Sequence, residues 1–64
     1  MKVRDLIEQV ELDGWRIVKT RGSHRRYKHP IKLGRVRIPG HLGDDVHPST
    51  LKSVLAQVGL RRKP

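Results

Sequence analysis

The segment between Asp13 and Asp44 contains no acidic side chain, and this absence constrains the fold more than any other feature of the sequence. Nine basic residues lie within it, namely Arg16, Lys19, Arg21, Arg25, Arg26, Lys28, Lys32, Arg35 and Arg37. A solvated surface usually mixes both signs of charge, so a block of one sign on structured sequence indicates contact with a polyanion. Nucleic acid is the favoured partner. A membrane surface is less favoured, because it would select a basic amphipathic helix and this block is strand-like.

The length of the chain predicts one domain with a small core. A chain of 64 residues buries only about 60% of the surface that its unfolded form exposes. The sequence has no cysteine, which excludes disulfides and thiolate metal sites. No stretch is apolar enough for a signal peptide or a membrane span, so we expect a cytoplasmic protein. We expect a single domain over residues 1–60 and a basic tail over 61–64.

Two segments have the periodicity of amphipathic helices. Their apolar residues recur three or four positions apart, and they are Val3, Leu6, Ile7 and Val10 in the first segment and Leu51, Val54, Leu55 and Val58 in the second. The first predicted helix runs roughly from 3 to 12, and the second from 48 to 58. Pro48 suits the first turn of the second helix, and Gly59 suits its end.

Three segments between the helices are predicted to be strands. Residues 15–20 and 24–29 flank a turn at Arg21-Gly22-Ser23, and residues 35–39 alternate basic and apolar side chains. The predicted fold class is α+β with the order α-β-β-β-α. A three-stranded antiparallel sheet would carry both helices on one face and leave its other face open to solvent.

Alternation along the strands predicts which side chains stand on the open face. If Tyr27 points into the core together with Trp15, Arg25 leans the same way. The side chains that remain for the open face are those of His24, Arg26 and Lys28, joined by Arg35 and Arg37 if Val36 and Ile38 are buried.

Four stretches of the sequence carry a family resemblance: "DGW" (13–15), "GSHRRYKHP" (22–30), "IPGH" (38–41) and "HPSTLKSVLAQVGL" (47–60). Over about residues 3–60 the chain resembles the HicA family of bacterial and archaeal toxins, and the specific part is Gly22-Ser23-His24 followed by Tyr27. The resemblance implies a double-stranded-RNA-binding-like fold and ribosome-independent cleavage of mRNA, with His24 as the catalytic residue. It also implies a HicB antitoxin that binds the toxin and masks this site.

The chemistry of RNA cleavage fits a single histidine among cations. The 2′-hydroxyl of RNA can attack its own phosphate, and histidine can move the protons because its ordinary pKa of about 6.5 lies near working pH. His24 could act as base or as acid. The residues predicted to bind single-stranded RNA are Arg21, Gly22, Ser23, Arg26, Lys28, Arg35 and Arg37. No metal or other cofactor is expected.

Other interpretations of these residues stay open. His24 could be a polar turn residue, and the basic face could be a solvated surface or a non-catalytic RNA-binding module. A DNA-binding domain is disfavoured, because the second helix offers only Lys52 before its end.

The remaining histidines and the two adjacent aspartates have simpler interpretations. A metal site built from His41, Asp44, Asp45 and His47 is disfavoured, because the loop lacks ordered ligand geometry. The aspartates are instead expected to offset basic charge and to favour the N-terminus of the second helix. His29 is expected to be an ordinary turn residue.

Overall fold

The computed structural model describes residues 1–59 and has the predicted α-β-β-β-α order. Its elements are α1 (Val3–Leu12), β1 (Arg16–Arg21), β2 (His24–Lys28), β3 (Arg35–Ile38) and α2 (Pro48–Val58). The bounds of both helices match the prediction, and each strand boundary differs from it by at most one residue. The predicted basic tail, 61–64, lies outside the described residues.

The three strands form an antiparallel sheet in the order β1-β2-β3. Tyr27 of the central strand lies opposite Ile17 of β1 and opposite Val36 of β3. Because directly opposite residues share one face of a sheet, these pairs define the face that turns toward the helices.

The core lies between this face and the two helices. One cluster contains every buried side chain of the described chain, namely Val3, Leu6, Val10, Trp15, Tyr27, Val36, Ile38, Val54 and Val58. The sheet contributes only side chains on the Tyr27 face, and α2 packs chiefly against β3. The expected burial of Trp15 and Tyr27 is confirmed. The opposite face, which we call the open face, is covered by neither α1 nor α2.

The loop before α2 is bound to the N-terminus of α1. Lys2 precedes α1 and makes no side-chain capping hydrogen bond. The backbone N–H of Val3 instead donates to the carbonyl oxygen of Asp44 at 2.9 Å, and that of Arg4 donates to Leu42 at 3.1 Å. The Lys2 ammonium also pairs with the Asp45 carboxylate at 3.2 Å. The loop therefore supplies acceptors to free N–H groups that begin α1.

The expectation that Asp44 and Asp45 favour the N-terminus of α2 is wrong. No acidic residue lies in the first turn of α2, where His47 is the N-cap and its Nδ1 accepts a hydrogen bond from the Ser49 N–H at 3.1 Å. The Asp44 carboxylate accepts a hydrogen bond from the His41 N–H at 3.2 Å. The Asp45 carboxylate pairs with Lys2 before α1, and this long-range pairing has no local signature in the sequence.

His29 is more than a turn residue. Its Nδ1 accepts hydrogen bonds from the N–H groups of Ile31 and Lys32, at 3.0 and 2.9 Å. The proton of a neutral ring must then lie on Nε2, which donates to the carbonyl oxygen of Asp13 at 2.8 Å. The ring also packs edge-on against Trp15, with 5.3 Å between ring centroids. His29 thus ties the β2–β3 loop to the end of α1.

The Asp13 carboxylate completes this arrangement. Its Oδ2 accepts hydrogen bonds from Lys32 Nζ at 2.6 Å and from the Trp15 indole N–H at 3.0 Å. The hydrogen bond from Lys32 is the main cause that holds the pKa of Asp13 below its usual value. We refer to Asp13, Trp15, His29 and Lys32 as the Asp13 clasp. Gly14 lies inside it with a φ of +105°, and a Cβ there would lie 2.8 Å from His29 Nε2.

Candidate active site on the open face of the sheet

A tight hairpin turn places His24 at the start of β2. Arg21 and His24 lie directly opposite each other, so only Gly22 and Ser23 connect the two strands. Gly22 has a φ of +60°, and no atom lies within 4 Å of the position where a Cβ would stand. A positive φ at the first turn position is the conformation in which glycine is favoured in a two-residue hairpin. The glycine is therefore required by backbone conformation, whereas the space above it is free.

A bulge in β1 decides which of its side chains reach the open face. Strict alternation would put Trp15, Ile17, Lys19 and Arg21 on a single face. The register shifts between Ile17 and Lys19, so that Ile17 lies opposite Tyr27 whereas Lys19 lies opposite Arg26. One extra residue in a strand reverses the alternation beyond it. The bulge thus allows Trp15 to enter the core while Lys19 and Arg21 stand beside His24.

The open face carries cations in rows that cross the sheet. In the row next to His24, Arg26 lies between Lys19 and Arg37, and in the following row Lys28 lies between Arg16 and Arg35. Like charges directly opposite each other destabilise a sheet. The fold tolerates this cost on three adjacent strands, and a bound polyanion would relieve it.

The cations of the two rows are not equally available to a ligand. The guanidinium of Arg16 turns back to the end of α1, where it donates to the carbonyl oxygens of Glu11 and Trp15, both at 2.9 Å.

Arg25, which alternation places on the core side, donates to the carbonyl oxygen of Gly40 at 2.8 Å and to that of Ser23 at 3.3 Å. Arg25 therefore holds the hairpin against the loop that follows β3.

His24 is exposed and lies in a pocket of about 200 Å³ with five cationic side chains. The pocket is lined by Lys19, Arg21, His24, Arg25, Arg26 and Arg37. Among residues 1–59, ring hydrogen bonds are made by His29 and His47, and the His24 imidazole makes none. Both of its nitrogens are thus available to a ligand, in surroundings that attract an anion.

The predicted RNA-binding residues fall into three groups. Arg21, Arg26 and Arg37 line the His24 pocket, and Gly22 and Ser23 form the turn beside it. Lys28 and Arg35 stand one row farther along the open face.

Lys19 belongs to the pocket and was missed by the sequence prediction. Counting back from the turn places Lys19 opposite Arg26, whereas counting forward from a buried Trp15 places it in the core. The conflict between these two counts was the available signal for a bulge.

Neither a metal site nor a membrane helix is found in the part of the chain that the structure describes. No group of three or more His, Asp or Glu side chains is close enough to hold a metal ion in residues 1–59. In the same range, no helix combines the length and the apolar character that crossing a bilayer requires.

Comparison with known proteins gives one family match. The family model described as the HicA toxin of bacterial toxin–antitoxin systems matches residues 3–60, which is nearly the whole chain. A search of curated proteins found no match. The matched range includes all five secondary-structure elements and every residue of the His24 pocket.

Proposed function

The chain belongs to the HicA toxin family of bacterial toxin–antitoxin systems, and we propose that its toxic activity is metal-independent cleavage of single-stranded mRNA in the His24 pocket. The observation that carries this proposal is an exposed imidazole, with both nitrogens free of partners in residues 1–59, among five cationic side chains. The proposed substrate implies that the protein acts in the cytoplasm.

The proposed reaction needs only the substrate and protein side chains. The 2′-hydroxyl oxygen attacks the adjacent phosphorus, and the bond from phosphorus to the 5′-oxygen breaks. His24 accepts the proton of the 2′-hydroxyl, or it donates a proton to the departing 5′-oxygen. The products are a 2′,3′-cyclic phosphate and a free 5′-hydroxyl. DNA lacks the attacking hydroxyl and is not a substrate.

The cations around His24 would bind the phosphate and stabilise the negative charge that develops on it. Arg26 and Arg37 are paired across the sheet, so their guanidinium groups can approach one phosphate together. A single acid–base group contributes roughly 100- to 10,000-fold to the rate. Because the other polar side chains of the pocket are all lysine or arginine, we expect a modest catalyst.

Incubation of the purified protein with single-stranded RNA in excess EDTA tests this proposal. We expect shortened RNA with 2′,3′-cyclic phosphate ends, and intact DNA of the same sequence. Loss of cleavage in EDTA with recovery in magnesium or manganese would contradict the metal-independent mechanism. The variant His24→Ala should not cleave the RNA. His41→Ala is its matched control, because His41 is also exposed but lies outside the His24 pocket.

A non-catalytic RNA-binding module is the second candidate. It is favoured by the absence of a second histidine and of any carboxylate from the His24 pocket within the described residues. In that case His24 would only contact a phosphate. Tight binding of RNA that is never shortened, by the wild-type chain, would select this alternative.

We further propose that a HicB-type antitoxin masks the open face. An acidic surface laid over the hairpin would remove the phosphate contacts and block His24 at the same time. Complementary charge would make the association fast and sensitive to salt. This surface contains Arg26 and Lys28, whose replacement is considered in the Discussion.

A further inference from the structure

A groove lies between β3 and α2. It has a volume of about 620 Å³, against about 200 Å³ for the His24 pocket. One wall consists of Arg26, Arg35 and Arg37 of the sheet. The other wall consists of α2 side chains, which are Ser49, Thr50, Ser53 and Gln57, above Pro39 and Val54. The groove exists because α2 packs beside β3, the edge strand of the sheet.

The groove adjoins the His24 pocket. Arg26 and Arg37 line both of them, so one ligand can contact both without leaving the protein surface. A chain molecule held by these two arginines with one end at His24 would run directly into the groove. This shared lining distinguishes the groove from three other surface depressions, which have no residue in common with the His24 pocket.

The two walls of the groove have different chemistry. The arginine wall binds phosphate. On the α2 wall, Ser49, Ser53 and Gln57 are spaced four residues apart and form one stripe along the helix. Their hydroxyl and amide groups both donate and accept hydrogen bonds and carry no charge. Such groups suit base edges and 2′-hydroxyls, whereas cations suit the phosphate backbone.

We propose that this groove binds the nucleotides that flank the cleaved bond, with phosphates on the arginine wall and bases or 2′-hydroxyls on the stripe of α2. The inference rests on the proposed function of the His24 pocket and extends it to substrate selection. A single RNA strand carries phosphates along one side and hydrogen-bonding groups along the other, which matches the two unlike walls. Gln57 can read a base edge with two hydrogen bonds, so the stripe gives the enzyme a sequence preference.

The double variant Ser53→Ala/Gln57→Ala tests the stripe without disturbing the fold. Both residues are exposed on α2, Ser53 in its middle and Gln57 in its last turn, and alanine is the best helix former. Gln9→Ala is the matched control, because Gln9 is exposed on α1 and lines neither the groove nor the pocket. The substrates are a dinucleotide, which covers the cleaved bond alone, and a longer single-stranded RNA of mixed sequence.

We expect wild type and Gln9→Ala to prefer the longer RNA by the same factor. In the double variant this factor falls about tenfold, because two hydrogen bonds to flanking nucleotides are lost. The distribution of cut sites should also become broader. With His24→Ala protein, which is expected to leave RNA intact, addition of the longer RNA should shift the NMR amide signals of Ser53 and Gln57.

The outcomes separate this inference from the proposed function. If the wild-type chain cleaves RNA while the double variant keeps the same length preference and the same cut sites, the groove inference is overturned and the proposed function stands. If the double variant weakens only the complex with the antitoxin, the groove binds protein and the inference is also overturned. A wild-type chain that neither binds nor cleaves RNA overturns both.

Discussion

The open face and the Asp13 clasp each place one histidine among charged side chains, but the two arrangements are opposite. In the clasp, His29 has a hydrogen-bond partner on each ring nitrogen and packs against Trp15. On the open face, His24 is exposed, and its ring has no partner within residues 1–59. The clasp pairs a carboxylate with an ammonium, whereas the open face sets Arg26 against Arg37.

The difference shows where the molecule uses polar groups for stability and where it keeps them for a ligand. Polar groups that satisfy one another stabilise the fold and have little left for a substrate. Like charges held together cost stability, and they persist where a bound partner of opposite charge compensates for them. Substitutions in the two regions should therefore have opposite consequences, and the following predictions test this in order of decreasing effect.

His24→Ala should give the largest effect on activity. Removal of the imidazole from the pocket should lower RNA cleavage by roughly 100- to 10,000-fold. The melting temperature should stay close to that of wild type, because the exposed ring makes no hydrogen bond in the described chain. Cleavage assays and thermal unfolding of the same preparation check both parts. A folded variant that cleaves at nearly the wild-type rate would show that His24 is not catalytic.

His29→Ala should show the reverse pattern. The substitution removes the acceptor for the N–H groups of Ile31 and Lys32, the donor to Asp13 and the contact with Trp15. We expect the free energy of unfolding to fall by about 2–3 kcal/mol. Chemical denaturation measures this loss, and cleavage by the fraction that is still folded should be nearly normal. If a fully folded variant loses cleavage, the two histidines do not have separate roles.

Arg26→Glu/Lys28→Glu should weaken RNA binding and slow association with the antitoxin in parallel. Both effects should be about tenfold at low ionic strength and smaller in high salt, because the interactions are largely electrostatic. Binding kinetics measured over a range of salt concentrations check the prediction. Arg4→Glu/Lys52→Glu is the control, since it makes the same change in net charge away from the His24 pocket and the groove. An unchanged association rate would place the antitoxin on another surface.

The smallest expected effect is the pH dependence of the stability that Asp13 contributes through the clasp. Since the pKa of Asp13 is lowered in the folded protein, chiefly by the hydrogen bond from Lys32, the ionised carboxylate stabilises the fold at neutral pH. The contribution begins to fall as the pH drops below the ordinary aspartate pKa of about 4. It is lost as the pH passes through the lower pKa that Asp13 has in the folded protein. Asp13→Asn should therefore be less stable than wild type at neutral pH, and the difference should narrow in acid. Thermal unfolding across this range measures it, and a constant difference would contradict the prediction.

Local patterns were enough to predict the elements of this fold. Periodicity gave both helices, and the alternation of Arg35, Val36, Arg37 and Ile38 gave the orientation of β3. His24 could be placed on the open face because it lies three residues before Tyr27, which points into the core. These features depend on neighbours in sequence, and a single chain carries that information in full.

The features that were not predicted depend on how separate segments of the chain pair and pack. The bulge is set by the pairing of β1 with β2, and the role of His29 depends on a carbonyl group sixteen positions earlier. The support of α1 by Asp44 and Asp45 is likewise long-range. The groove beside α2 requires the packing of a helix against an edge strand. None of these leaves a periodic pattern in the sequence.

The bulge in β1 has a consequence for the gene. Loss of codon 18 in frame would remove the extra residue and keep Ile17 opposite Tyr27 and Lys19 opposite Arg26. Loss of codon 20 would also restore a regular strand, but Val18 would then lie opposite Arg26 and Lys19 would turn toward the core. Two deletions of equal length, two codons apart, thus have different expected phenotypes. The second would remove Lys19 from the His24 pocket with Gly22-Ser23-His24 unchanged, and a search for that triplet alone would still count the gene as intact.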